Sequence, residues 1–336
     1  MRHLKLFVSL ILLQQAVFTH AQKAPASIQK IALPKEIADR NNQFSGLHVR
    51  GNQLLLLAES RLQEGAEAKV YALDLGSITN QKEQKTQELA YRKYTIRNLE
   101  TIRARIDSAC QVYEGLEAMT TLGNVAYFTI ETTTPSAYCY LIKGQVDDAA
   151  ATISIDARYL VPVAKPALTN NTHIHNAGFE ALATYKQNLL LLFEYNYFGH
   201  DNYAFELPEA TAAADVPRYV PVARLPFRTT DMVPLGRNRF AAINYFYNGD
   251  DDRVYRPAPT DANARLVQQG SAYKNYCRLI TLQYKRKRLT WKPLFELPAE
   301  YMTYNWEGIA AYRGGYFLMN DKYGPSNQST LLYLRP

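Results

Sequence analysis

The amino-acid sequence predicts an all-β fold, a five-bladed β-propeller whose last blade is completed by an N-terminal strand. Three observations carry this expectation. A short phrase recurs five times, each copy opens a similar series of strand-like segments, and the last series is one strand short. The phrase reads Phe44-Ser45-Gly46-Leu47, Tyr113-Glu114-Gly115-Leu116, Phe179-Glu180-Ala181-Leu182, Thr230-Asp231-Met232-Val233 and Trp306-Glu307-Gly308-Ile309. It returns roughly every 60 residues, a period long enough for four strands and their turns.

The first unit offers strands at Gly46–Val49, Leu54–Ala58, Val70–Leu73 and Tyr94–Ile96. The second offers Leu116–Ala118, Val125–Ile130, Tyr138–Ile142 and Tyr159–Val161; the third, Leu182–Tyr185, Leu189–Phe193, Tyr203–Leu207 and Tyr219–Val222. The fourth offers Met232–Leu235, Phe240–Tyr245, Cys277–Leu282 and Thr290–Leu294. The fifth has only Ile309–Tyr312, Tyr316–Met319 and Leu331–Leu334, and Ile28–Leu33, which belongs to no unit, supplies what it lacks. Alternation, β-branched and aromatic residues, and Gly, Asn or Pro at the boundaries favour strands throughout. Leu99, Ile102 and Ile106 instead have helical spacing, and the stretch from Asn244 to Cys277, with its acidic and proline-rich runs, reads as a loop.

Residues 1–21 have the form of a secretory signal: Arg2 and Lys5, an apolar core from Leu6 to Leu13, and small residues before Gln22. Residues 22–336 then form one exported domain, secreted or periplasmic, without membrane insertion and monomeric. The formal net charge of +7 is mild for 336 residues, and the run Lys285-Arg286-Lys287-Arg288 between two strands reads as a solvated hairpin tip, so a nucleic-acid partner is not expected. Cys110, Cys139 and Cys277 lack metal-type spacing; Cys110 and Cys139 could pair, which would leave Cys277 free.

In a propeller the first strand of each blade lines the central channel, so Ser45, Glu114, Glu180, Asp231 (or Thr230) and Glu307 would form a ring. Carboxylates crowded in this way repel or take up protons unless a cation sits between them. Their oxygens, with no His or Cys, favour a hard cation, and calcium over magnesium. The same carboxylates could instead cap neighbouring strands and never meet. A second set follows the second strands: Glu59-Ser60-Arg61, Glu131, Glu194-Tyr195-Asn196, Asn244-Tyr245 and Asn320 to Tyr323. These would gather at one face as a pocket, or else are ordinary polar residues at strand ends. His173 and His175 lie on a loop shortly before Glu180.

With these residues in place, the chain resembles the calcium-activated nucleotidase (apyrase) family of secreted five-bladed propellers. The resemblance rests on the order Ser45, Glu114, Glu180, Thr230 or Asp231, Glu307, on Glu307-Gly308-Ile309, on Glu180-Ala181 and on Thr229-Thr230-Asp231-Met232-Val233-Pro234. It implies a central calcium and hydrolysis of phosphoanhydride or phosphoester bonds. The family's Asp-Asp-Arg-Thr-Gly phrase survives only as Glu59-Ser60-Arg61, and Glu194-Tyr195-Asn196 stands where its third-blade arginines would be. A weaker similarity is to the phytase-like esterase family, which repeats a Glu-Gly-Ile/Leu-Ala phrase. One expectation is therefore a phosphohydrolase in which Glu59 or Glu131 directs water and Arg61 or Lys322 holds phosphate of a small phosphorylated substrate. The alternative is a non-catalytic propeller with a structural calcium, binding a glycan or other ligand on aromatic residues around Tyr195, Tyr197 and Tyr245.

Overall fold

Consecutive apolar residues mark the second strand of each unit, because in a ring of stacked sheets both faces of that strand meet a neighbour. Leu54–Leu57, Leu189–Leu192 and Phe317–Met319 are accordingly buried without alternation. The structure, a computed structural model, describes residues 24–336 apart from 60–66, 87, 110, 134–135, 169–172, 209–216, 250 and 322–327. The expected leader, Ser60, Arg61, Cys110, Lys322 and Tyr323 lie outside the described residues.

The chain is mostly β. Each repeat contributes antiparallel strands in sequence order: Phe44–Arg50, Gln53–Ala58, Lys69–Asp74 and Tyr91–Arg97 in the first, and Tyr113–Leu122, Val125–Thr132, Tyr138–Asp147 and Thr152–Ala164 in the second. These two repeats join into one eight-stranded sheet through a short parallel pairing of Thr95–Arg97 with Thr152–Ser154. Separate four-stranded sheets hold Ala181–Tyr185, Asn188–Leu192, Tyr203–Pro208 and Arg218–Pro221, and Arg228–Gly236, Arg239–Phe246, Tyr276–Lys285 and Arg288–Glu296. The last sheet combines Trp306–Tyr312, Gly315–Asn320 and Leu331–Arg335 with the N-terminal strand Ser27–Ile31. Ser27 pairs with Arg335 and Ile31 with Leu331, antiparallel.

The five inner strands touch in order, and the strand at Trp306–Tyr312 returns to the one at Phe44–Arg50, so they enclose a common axis as a β-propeller does. Five apolar clusters fill the spaces between neighbouring repeats. One joins Leu55 to Phe128, one Tyr127 to Phe179, one Leu190 to Phe240, one Ile243 to Leu318, and one Phe317 to Leu56. The inner strands approach closely where the repeated phrase has glycine. A Cβ on Gly308 would stand 2.7 Å from Leu47 Cγ and 3.1 Å from the Leu47 nitrogen.

Leu99–Ser108 is the helix that its spacing predicts, burying Leu99, Ile102 and Ile106. A second helix, Leu75–Lys82, was not anticipated, although its start is written in the chain: Asp74 Oδ1 accepts from the Ser77 N–H at 2.6 Å. The excursion between Phe246 and Tyr276 adds no blade-like sheet. It contains a 3-10 turn at Asp251–Tyr255, a short helix at Ala264–Val267 and a two-stranded ribbon, and it buries Tyr255 and Val267 against the second and third repeats. Cys139 and Cys277 are buried free thiols, and burial pushes the Cys139 thiol up to about 12. No described helix is long and apolar enough to cross a membrane.

Two outcomes follow for stability. Ile31 is fully enclosed where the N-terminal strand closes the last sheet, so Ile31→Ala should cost about 2–5 kcal/mol in chemical denaturation. His48, on the first inner strand, accepts the Thr121 N–H at 3.3 Å and meets Thr121 Oγ1 at 2.9 Å. Burial, then the charge of Arg50, lowers its imidazole to about 4 from 6.5. The unfolded chain takes up the proton first, so this stability is present above pH 6.5 and is lost as pH falls toward 4. His48→Gln should flatten the melting-temperature profile in that window, removing up to about 3 kcal/mol of pH dependence.

Candidate acidic cation centre

Four of the five phrases open an inner strand with an irregularity in its pairing to the second strand. Ser45 is the extra residue between the pairs Phe44–Ala58 and Gly46–Leu57, Glu114 between Tyr113–Thr132 and Gly115–Glu131, and Glu307 between Trp306–Asn320 and Gly308–Met319. Thr230 and Asp231 fall between Thr229–Asn244 and Met232–Ala242, while Glu180 immediately precedes its strand at Ala181. A bulge breaks the strict alternation of side chains and re-aims the inserted one. The repeated oxygen-bearing residue is therefore one structural position used five times.

These side chains have different tasks. Ser45 Oγ donates to the Leu116 carbonyl at 2.6 Å, linking the first inner strand to the second, and Thr230 Oγ1 donates to the Trp306 carbonyl at 2.6 Å, linking the fourth to the fifth. Asp231 is fully buried, and its Oδ1 accepts the Met232 N–H at 2.7 Å. Its Oδ2 accepts Ile309 N–H at 2.8 Å and Leu47 N–H at 3.4 Å. Asp231, ranked above Thr230 as the fourth ligand on sequence spacing, is instead held by backbone donors of three inner strands. Its oxygens tie strands together rather than joining the other carboxylates.

The carboxylates that do converge are Glu117, Glu131 and Glu180. All three are buried, and one oxygen of each lies within 4.8 Å of the others. Glu117 stands at a second bulge, between the pairs Leu116–Ile130 and Ala118–Thr129, and Glu131 is the penultimate residue of the second strand of the same repeat. Glu131 Oε1 and Glu180 Oε2 are buried without a hydrogen-bond partner among the described residues. Burial, then Glu194 and Glu114, against the opposing charges of Lys165 and Arg228, raises the Glu131 carboxyl to about 8. Burial, then Glu194, Glu307 and Glu117, raises Glu180 well above the usual carboxylate range, with Arg228 opposing. Glu307 is raised by burial, then Asp321 and Glu59. Glu114 and Glu307 thus act on the cluster through their charge.

The second-strand ends reach over the next repeat. Glu59 lies against Gly115, where a Cβ would be 2.7 Å from Glu59 Cγ and 3.2 Å from Glu117 Oε1. Glu131 lies against Gly178, and Glu194 Oε2 meets Arg228 Nε at 2.8 Å. The backbone repeats this step: the Glu59 carbonyl accepts the Leu116 N–H at 2.7 Å and the Glu194 carbonyl accepts the Thr229 N–H at 2.9 Å. Asn244 is committed to the Pro226 and Arg228 carbonyls and to Arg278 Nε. The excursion roofs this end, with the buried Tyr255 ring 4.8 Å from the Arg228 guanidinium. Its Asp261 accepts from Tyr197 Oη at 2.7 Å. Tyr195 and Tyr197 are consequently buried, and Tyr245 is buried in the core between the fourth and fifth repeats, which corrects the expectation of an aromatic ligand face there. His173 is half-buried and bridges to Ala167, and His175 is exposed.

Chemically, three buried carboxylates this close, two of them with an oxygen lacking a partner among the described residues, require protons or a cation. An all-oxygen set this close suits a hard cation such as calcium. Two contributors were missed in the sequence. Glu117 could have been noticed as an acid in an apolar stretch where the third and fifth copies have Ala183 and Ala310. Arg228, just ahead of Thr229-Thr230, carried no comparable signal.

No protein-family model matches the chain, and no curated protein does. Among solved structures it is similar to a GH43 beta-xylosidase/alpha-arabinofuranosidase from a compost microbial metagenome, in complex with xylotriose in a calcium-free form. Identity there is 8%, the match covers 92% of this chain and 94% of that one, and the TM-score is 0.49. For the soluble aldose sugar dehydrogenase of Escherichia coli the values are 9%, 92%, 100% and 0.48, and for a GH62 alpha-L-arabinofuranosidase of Coprinopsis cinerea 10%, 91%, 95% and 0.48. Likeness at this level carries no statement about site or activity.

Removing the cation of a buried ion pair leaves its partner's charge stranded. Arg228→Met should therefore destabilise the protein by about 3–5 kcal/mol, and adding Glu194→Gln should restore part of the loss, both read by denaturation.

Proposed function

We propose that this chain is an exported five-bladed propeller that holds a calcium ion on Glu117, Glu131 and Glu180 at one end of its central channel. The observation that carries the reading is the mutual approach of these buried carboxylates, two of which have an oxygen with no donor among the described residues. Five repeats, five inter-repeat cores and a closed round of inner strands support the blade count. The donor set is all oxygen, which suits calcium. Glu114 and Glu307 add negative potential, and Ser45, Thr230 and Asp231 hold the inner strands in register around it.

A second reading, hydrolysis of phosphoanhydride or phosphoester bonds, adds to the resemblance to the nucleotidase family one observation of its own. Arg228 brings a guanidinium to the cluster, as phosphate recognition needs, while Glu59 lies beside Glu117 in position to direct water. A bound cation would offset charge developing on a phosphoryl oxygen. Arg61, the other candidate for phosphate, lies outside the described residues. The roof over the cluster favours the first reading, in which the ion staples repeats.

Calcium should raise the melting temperature, equivalent to about 2.7 kcal/mol when free calcium is about 100 times its Kd. Glu180→Gln should abolish that rise and, by relieving repulsion, leave the calcium-free protein at least as stable as the unaltered one. An unchanged calcium response in Glu180→Gln, or none in the unaltered protein, would remove the cation centre. Calcium-dependent phosphate release from a nucleoside diphosphate, lost in Glu59→Gln with the calcium response intact, decides for the hydrolase.

A further inference from the structure

Where the strand Ser27–Ile31 closes the last sheet, three cations line a cleft whose one carboxylate among the described lining residues is Glu83. Lys82, the last residue of the helix Leu75–Lys82, places Nζ 3.2 Å from the centre of the Tyr333 ring. Arg335, paired with Ser27, has its guanidinium 6.0 Å from the same ring. Arg313, left-handed in the turn after the strand Trp306–Tyr312, stands 5.1 Å from the Tyr312 ring. All three line one cleft of about 490 Å³, together with Ser27 and Gln29.

The charges act on one another. Burial, then Arg335 and then Arg313, lowers the Lys82 ammonium from 10.5 to about 8, with only Glu83 opposing. Glu83, the carboxylate on the cleft wall, is engaged by Lys85 Nζ at 2.5 Å. Tyrosine faces soften this repulsion, since a ring face attracts a cation, but they carry no countercharge. A tetrahedral oxyanion supplies what is missing: guanidiniums grip it in a fork and an ammonium meets it as a point charge.

We propose that this cleft is an oxyanion site for a phosphate or sulfate ester, bound by Lys82, Arg313 and Arg335. It shares no residue with the acidic cluster and does not depend on the calcium reading. Its occupant bridges the helix, the turn at Arg313 and the pair of strands that closes the ring, so binding tightens that closure.

The test is lysine acylation of the purified protein by acetic anhydride near neutral pH, mapped by peptide mass spectrometry. A lysine at about 8 rather than 10.5 holds roughly 300 times more neutral amine there, so Lys82 should be among the fastest labelled. Inorganic phosphate should slow Lys82 about tenfold, as a rise of one pKa unit does, while leaving the exposed Lys285 and Lys287 unchanged. Arg313→Gln combined with Arg335→Gln, both at exposed positions, should slow Lys82 without phosphate and abolish the phosphate effect. Phosphatidic-acid vesicles form a separate arm: protection by them alone assigns the ester to a lipid headgroup, and protection by inorganic phosphate assigns it to a soluble ester. Equal protection by chloride at matched ionic strength, protection that survives the double substitution, or no protection in either arm would overturn the site.

Discussion

Buried carboxylates facing one another are the constraint around which this molecule is arranged. A side chain such as Glu131 or Glu180 is ordinarily left in water, where its charge costs little. Here each is carried by a bulge or a strand end to the inner rim and then roofed by Tyr255 and its neighbours. The arrangement is tolerable only because charge is answered locally. Arg228 answers Glu194, backbone N–H groups answer Asp231, and the remaining oxygens of Glu131 and Glu180 call for something small and positive.

That electrostatic centre depends on a mechanical one. The inner strands meet closely enough for a methyl group on Gly308 to collide with Leu47, and hydroxyls or carboxylates of one repeat bond the backbone of another. Every repeat therefore contributes both to its own sheet and to its neighbour's rim. A change at one anchor is felt in the next repeat. The apolar clusters obey the same rule, since each joins adjacent repeats.

Much of this could be read in the sequence, for definable reasons. Strands with unbroken apolar runs, the recurring anchor phrase and the orphan strand near Ile28 are local signals, and each corresponds to a strand or bulge. The destination of a side chain after a bulge is not local. Ser45, Thr230 and Asp231 share the spacing of Glu180 yet turn to backbone partners, and Glu117 enters the cluster through an irregularity that its neighbours do not announce. The excursion after Phe246 was legible as a loop by its composition. What it covers was not, because burial of Tyr195 and Tyr197 depends on contacts with residues far away in the chain. The helix at Leu75 went unread although Asp74 and Ser77 mark its start, since eight residues give too little periodicity to stand out between strands.

The pairing of Ser27–Ile31 with Leu331–Arg335 also fixes the order of events in folding. Partners roughly 300 residues apart must find each other, and loop closure over that distance is entropically late. The first four repeats can collapse pairwise, but the seam stays open until the strand Leu331–Arg335 is available. A chain caught before that moment has an incomplete last sheet with a bare edge, open to pairing with another strand. Latching the two distant strands is thus a clock as well as a clasp.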